Sequence, residues 1–397
     1  MASVFKRDDF PMLRKKGLVY LDSAATALKP SKVIDTMSQF YENSYATVHR
    51  AAYTLSQEAT QRYNQVRDKV RDFIGATSSD EIIFTRGATE GLNLIAQCYP
   101  IKAGDEIIIS GQEHHSNIVP WQLLCQRAGA HLKVIPLKAD GQIDLEKFHI
   151  LLSPRTKLVS IAHVSNVLGI INPIEAIIAA AHKVGAHVVL DAAQSAVHLP
   201  LDVQALDCDF LVFSSHKLYG PTGVGVLYGK KELLQKMPPY QGGGDMIQKV
   251  TFEKTTYQDP PLRFEAGTPM IAEVIGLGAA LEYIESHSRE EIVRHEYNLI
   301  QLALKNLPQE TQILGPKENR TSLITFHIPG AHPLDLATLL DLKGIALRSG
   351  HLCAQPLLNH FGLTSALRLS VAPYNIEDEI LYFGEMLQAV LHKISRS

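Results

Sequence analysis

Between Asp80 and Tyr228 the chain carries seven short apolar runs, at 81–84, 106–109, 133–135, 158–161, 187–190, 210–213 and 224–227. None shows polar alternation, and most are separated by helix-periodic stretches such as 174–184. A strand covered on both faces has no solvent side, so this pattern predicts a mostly parallel seven-stranded sheet with helices on both faces. That constraint also predicts where a ligand site falls. In open α/β sheets it lies in the crevice beyond the carboxyl ends of the strands.

At 397 residues the chain is too long for one ordinary core. After Gly229 the pattern changes: Pro238-Pro239 and Gly242-Gly243-Gly244 mark a long irregular segment that ends near Arg263. Two long helical patterns follow, at 271–286 and 289–307, then strand patterns at 322–328 and 366–370 and an amphipathic helix at 376–394. We therefore expect a large domain over residues 17–283 and a smaller α+β domain built from 1–16 and 284–397.

A formal charge of -3 leaves no net basic field for nucleic acid. No run approaches the ~18 apolar residues of a membrane span, and the first ten residues lack a signal-peptide core, so a cytoplasmic protein is expected. The four cysteines, Cys98, Cys125, Cys208 and Cys353, form no CxxC pair, and neither a zinc site nor a disulfide framework is indicated.

Chemistry concentrates where the apolar runs end. Ser214-Ser215-His216-Lys217 closes the sixth run and puts an amine at the productive edge, where it can condense with a carbonyl cofactor. Asp191 closes the fifth run. It fits a helix N-cap, and beside Lys217 it also fits the anion that keeps a cofactor ring nitrogen protonated. Thr85 to Gly91 is a glycine turn opening into a helix, whose Ala88 and Thr89 can offer an anion site. Ser214 and His216 can add donors to it. In Glu113-His114-His115 adjacent side chains face opposite ways, which disfavours a two-histidine metal site and suits one ring to stack on a flat cofactor. Cys98 and Cys125 lie on apolar helical stretches and Cys208 precedes a buried-looking strand, whereas Cys353 sits among Gly, His and Pro in a loop that suits a reactive thiol.

Taken together, Asp191-Ala192-Ala193-Gln194, Ser214 to Lys217, Glu113 to His115 and Phe264-Glu265-Ala266-Gly267-Thr268-Pro269 resemble the cysteine desulfurases of the class V aminotransferase group, pyridoxal-phosphate enzymes of fold-type I. The likeness runs from Tyr20-Leu21-Asp22 to Ala372-Pro373-Tyr374. The short Arg348-Ser349-Gly350-His351-Leu352-Cys353 loop resembles the SufS and CsdA type (group II).

What the resemblance implies is a set of roles. Lys217 would hold pyridoxal 5'-phosphate and move the Cα proton of L-cysteine, with Asp191 at the ring nitrogen, Gln194 at the phenolic oxygen and His114 on the ring face. Ala88, Thr89, Ser214 and His216 would bind the phosphate, completed by Gly267 and Thr268 from a second subunit, which makes the active site shared across a homodimer. Arg368 would clamp the substrate carboxylate, with Asn166 as a second carboxylate or cofactor contact. Cys353 would take the sulfur as a persulfide, leaving alanine, and pass it to a small acceptor protein of the SufE or SufU kind for iron–sulfur assembly. Selenocysteine cleavage, or another class V reaction, is the alternative implied by the same fold. The chain departs from the family at Tyr53, where a histidine before Thr-Leu is usual.

Overall fold

All seven apolar runs enter one sheet. Its order, edge to edge, is Ile82–Thr85, Gly225–Gly229, Phe210–Ser214, His187–Asp191, Thr156–Ala162, Glu106–Ser110 and His131–Ile135. Only Gly225–Gly229 runs against its neighbours, so the other six strands end at the same edge. Successive side chains sort to opposite faces, as a period of two requires. Ile108, Val188, Leu211 and Phe213 join one core, whereas Ile107, Ile109, Val189, Phe210 and Val212 join the other. This two-sided burial is the reason the strands carry no polar alternation. The computed structural model describes residues 3–394; the small-domain assignment of residues 1, 2 and 395–397 lies outside them.

The tail builds a four-stranded antiparallel sheet in the order Gln312–Ile313, Leu323–His327, Ala366–Ser370 and Arg348–Gly350. Its core includes Phe326, Leu336, Leu369 and Phe383, under helices Arg289–Asn306, Pro333–Asp341 and Glu377–Ile394. The outer strands have two and three residues, too short to leave a pattern, so only the two central strands are legible in sequence. Likewise the segment expected to be irregular after Gly229 contains a helix, Lys231–Lys236, and a hairpin, Ile247–Val250 with Thr255–Tyr257. The hairpin is mostly exposed and packs no apolar face, which is why no alternation announces it. Among the described residues no helix is long and apolar enough to cross a membrane.

Two contacts fix the elements that border the site. Asp22 bridges Ser370, joining the chain's early segment to the tail sheet. Deeper, the Glu265 carboxylate takes a forked pair of hydrogen bonds from Arg67 at 2.7 and 2.8 Å and a third from the Phe84 N–H at 2.7 Å. Burial opposes the Arg67 charge, and Glu265 more than offsets it, so the guanidinium is held above its ordinary value. The segment Phe264 to Pro269 is thereby pinned to the first strand of the large sheet.

Replacing Glu265 by Gln leaves a buried guanidinium without its counter-charge. The expected loss is about 3–5 kcal/mol of stability, read as a lowered urea midpoint at unchanged slope. A loss below about 1 kcal/mol would mean the pair is no more than a surface ion pair in effect.

Candidate active site

Lys217 ends the single 3-10 turn, Ser215–Lys217, that follows the central strand Phe210–Ser214. The turn is tight: a Cβ on Gly220 would lie 2.1 Å from Ser215 Oγ, so only glycine fits there. Lys217 is half-buried, and burial is the main cause that lowers its pKa to about 8, with Asp191 pulling the other way and Arg368 reinforcing the drop. It faces a cavity of about 250 Å³ whose wall includes Ala88, Thr89, His114, Asn166, Asp191, Gln194, Ser214, His216, Cys353 and Arg368. Eleven of the thirteen residues singled out in sequence, Lys217 among them, thus meet in one place.

Asp191 ends its strand beside the Lys217 strand, with its carboxylate accepting from the Ala193 N–H at 2.9 Å. Burial raises its pKa, while the Ala193 N–H and Lys217 oppose the rise. A buried carboxylate in that state is stabilised by a cation brought next to it. His114 accepts from the Ser116 N–H through Nδ1 at 3.0 Å, so in the neutral ring the proton sits on Nε2. Burial first, then Lys217, holds the His114 pKa down to about 3, and the ring is neutral at physiological pH. The loop carrying it is anchored by Glu113, whose buried carboxylate bonds Asn117 and the Ala162 N–H.

At the other end, the first N–H of helix Ala88–Cys98 donates to Ser214 Oγ at 2.8 Å, and Thr89 Oγ1 pairs with Ser116 Oγ at 2.8 Å. This helix start presses on the sheet: a Cβ on Gly225 would fall 2.5 Å from Gly87 Cα and 2.7 Å from the Phe213 carbonyl. His216 contacts Thr26 Oγ1 through Nδ1 at 3.2 Å, and burial, Lys217 and Lys29 push its pKa to about 4. Gln194 donates to the Ala24 carbonyl at 2.9 Å.

The thiol side is built from the tail sheet. Arg368, 3 % exposed, donates to the Asn166 carbonyl at 2.9 Å and to Asp22 at 3.3 Å, while its Nε is buried without a partner. Asn166 in turn donates its amide to the Leu352 carbonyl at 2.9 Å, tying the guanidinium to the cysteine loop. Leu352 and Cys353 both adopt left-handed backbone, with φ of 53° and 55°, a conformation that costs energy for side-chain-bearing residues. His115 holds the strained turn from outside: its N–H bonds the Cys353 carbonyl at 2.7 Å and its Nε2 accepts from the Gln355 N–H at 3.1 Å. His351 Nδ1 accepts from the Cys353 N–H at 3.2 Å. Donor atoms of His115, His351 and Cys353 lie within 4.8 Å of one another. Because each neutral ring already accepts at one nitrogen, its proton is on the other, which suits donation to a sulfur anion better than binding a metal.

Two predicted residues lie elsewhere. Gly267 and Thr268 line a separate cavity beside Arg86, Glu90 and Tyr240. Sequence reasoning also missed Arg348, Ser116 and Ala24 in the cavity wall, and the brace made by His115 and Asp22. The adjacent histidines were a usable signal for His115, since one facing the ring leaves the other facing away. Cys353 is the partly exposed cysteine; Cys98, Cys125 and Cys208 are buried, and burial pushes the thiols of Cys98 and Cys208 to about 12.

Comparison with known proteins gives consistent relatives. The aminotransferase class-V family pattern matches residues 19–383. A cysteine desulfurase from Pectobacterium atrosepticum is 48% identical over 400 aligned positions, covering 98% of this chain and 97% of that protein. One from Escherichia coli (strain K12 / DH10B) is 50% identical over 384, covering 94% of each. Among solved structures, the E. coli cysteine desulfurase CsdA in an S-sulfonic acid form superposes with a TM-score of 0.92 at 42% identity, covering 98% of each chain. The apo cysteine desulfurase of Thermococcus onnurineus NA1 gives 0.93 at 38%, covering 99% of this chain and 100% of that one.

The donor set fits pyridoxal phosphate: a half-buried amine, a buried carboxylate lacking a contacting cation, a neutral imidazole and a helix start with hydroxyls. The Lys217 shift makes the cofactor-free protein pH-sensitive in a defined window. The folded pKa, about 8, lies below the ordinary 10.5. Between those values the unfolded chain binds the proton and the folded one does not, so stability rises with pH across the window. Below about pH 8 the full penalty applies, of the order of 3 kcal/mol. The stability difference between Lys217→Met and the unsubstituted protein, both without cofactor, should therefore shrink as pH goes from 8 to 10.5. A difference that stays flat would place the amine in solvent.

Proposed function

The chain belongs to the class V aminotransferase family and is a pyridoxal-phosphate-dependent cysteine desulfurase; from that premise we propose that Lys217, Asp191, His114, Arg368 and Cys353 carry its reaction. The observation that bears most weight is the single thread Arg368–Asn166–Leu352, which ties a buried guanidinium to the backbone next to the thiol.

In this reading Arg368 receives the carboxylate of L-cysteine, using the Nε that lacks a partner. Lys217 anchors the cofactor and then takes the substrate Cα proton, a task suited to an amine that is half unprotonated near pH 8. When bound, the cofactor's ring accepts the electron pair released at Cα and so loosens the bond between Cβ and sulfur. Asp191 would keep the ring nitrogen protonated, and neutral His114 would lie against the ring with an Nε2–H available for proton transfer. Cys353 attacks the substrate sulfur as a thiolate. One S–S bond forms, the Cβ–S bond breaks with its electron pair left on carbon, and protonation there gives alanine. Ala88, Thr89, Ser214 and His216 would hold the phosphate, and Gln194 the phenolic oxygen.

The cofactor would lie in the domain of residues 17–283, and the thiol would come from the small domain. Gly267 and Thr268 line a different cavity from their own Lys217. We take them to complete the phosphate site of a second subunit, in a cytoplasmic homodimer with a shared active site. The persulfide would pass to an acceptor protein of the SufE or SufU kind for iron–sulfur assembly.

Single-turnover incubation with L-cysteine should yield alanine and, in equal amount, a persulfide mapped to Cys353. Cys353→Ala should keep its cofactor absorbance and lose at least ~100-fold of alanine formation from cysteine, about 2.7 kcal/mol of transition-state stabilisation. Alanine formed at the usual rate without that persulfide would replace this reading by a lyase. Interface variants that are monomeric by ultracentrifugation should lose pyridoxal phosphate on gel filtration; a monomer that keeps cofactor and activity would remove Gly267 and Thr268 from the site.

A further inference from the structure

Away from the cofactor cavity, three buried polar groups form an ordered array. His198 ends the short helix Ser195–His198, Glu296 lies on helix Arg289–Asn306, and Ser322 immediately precedes strand Leu323–His327. Ser322 Oγ meets His198 Nε2 at 2.8 Å, and His198 Nδ1 meets Glu296 Oε2 at 2.8 Å. An ionised carboxylate only accepts, so Nδ1 carries the proton of the neutral ring. Nε2 is then the acceptor and the serine hydroxyl the donor. With the carboxylate ionised and the ring neutral, both bonds run one way: hydroxyl to imidazole, imidazole to carboxylate.

That order is the one in which an imidazole can take a hydroxyl proton while a carboxylate holds its tautomer and stabilises the resulting cation. The other oxygen of Glu296, Oε1, is buried with no hydrogen-bond partner, so the imidazole is the group to which this carboxylate hydrogen-bonds. All three residues line one cavity of about 430 Å³, within the ~300–1,000 Å³ usual for small-molecule pockets. Its wall is otherwise largely apolar, through Ile171, Leu199, Val293 and Tyr297, with Arg289 also in the lining. None of Ser322, His198 and Glu296 lines the cavity of Lys217 and Cys353, so the desulfurase chemistry does not account for them.

We propose that Ser322, His198 and Glu296 form a second nucleophilic centre that hydrolyses small apolar carboxylic esters. Ser322 Oγ bonds to the acyl carbon as its proton passes to His198 Nε2; the bond to the alcohol oxygen breaks, and that oxygen leaves with the proton. Water then adds to the acyl carbon, its proton goes by way of His198 to Ser322 Oγ, and the acid departs. The balance is ester plus water giving acid plus alcohol, with no oxidant or reductant. Arg289, whose guanidinium donates to the Val197 carbonyl at 2.8 Å, acts on the oxyanion formed in both halves only through its long-range field. Apolar walls select the acyl group, and the 1 % exposure of Ser322 confines attack to what enters the cavity.

A buried array of this kind can also act as a brace between the helix and the strand, and a brace does not react. The test uses the full-length, cofactor-loaded protein carrying Cys353→Ala, which removes the competing thiol. With p-nitrophenyl butyrate we expect turnover that Ser322→Ala lowers at least tenfold, and a fluorophosphonate should label Ser322, located by peptide mapping. His198→Ala should suppress that label as well. Label absent from Ser322 in the otherwise unsubstituted protein, or ester hydrolysis unchanged by Ser322→Ala, would overturn the proposal. The labelling needs no serine variant, so misfolding of Ser322→Ala does not blunt it, and neither readout depends on the desulfurase assignment.

Discussion

The arrangement rests on one buried guanidinium. Arg368 lies on a central strand of the tail sheet, yet its hydrogen bonds go to Asn166, in the loop after a strand of the large sheet, and to Asp22 in the early chain. Placing a charge there is costly, and burial lowers its pKa while Asp22 opposes the drop. The cost is tolerable because two acceptors are fixed around it and one donor stays free for an anion. Through the Asn166 amide the same group sets the backbone of Leu352, and so the position of Cys353. The cysteine loop is thus held both by this polar thread and by the apolar packing of Leu352 and Ala354 against Val167 and Leu168.

Desolvation does the complementary work on the cofactor side. Burial pushes Lys217, His114 and His216 toward their neutral forms, and Asp191 toward its own. A cavity that depresses its bases in this way makes the amine nucleophilic near pH 8 rather than above pH 10, and a cation beside Asp191 restores the carboxylate. Cys353 belongs to a different regime. It is partly exposed, held in left-handed backbone by hydrogen bonds from His115 and to His351, and acts electrostatically on both Lys217 and Arg368. Strain in such a turn persists only where the surroundings over-determine it.

Much of this was legible in the chain. Seven apolar runs without alternation dictated a two-sided sheet, and the residues that end those runs, Thr85, Asp191 and Ser214, mark its productive edge. Local patterns failed where elements are short or exposed: Arg348–Gly350 has three residues, and the hairpin at 247–257 buries too little to impose a period.

By itself the sequence determined the fold class, the identity of the amine, the carboxylate and the thiol, and the separation of Cys353 from three core cysteines, because each depends on neighbours in the chain. Only the tertiary structure decided what those groups experience. Arg368 meets Asp22 across 346 residues and Asn166 across 202, and Ser322 meets His198 across 124. Hydrogen bonds at such separations leave no period or spacing in the chain, and burial, which sets the protonation of Lys217 and His114, is a property of the packed whole.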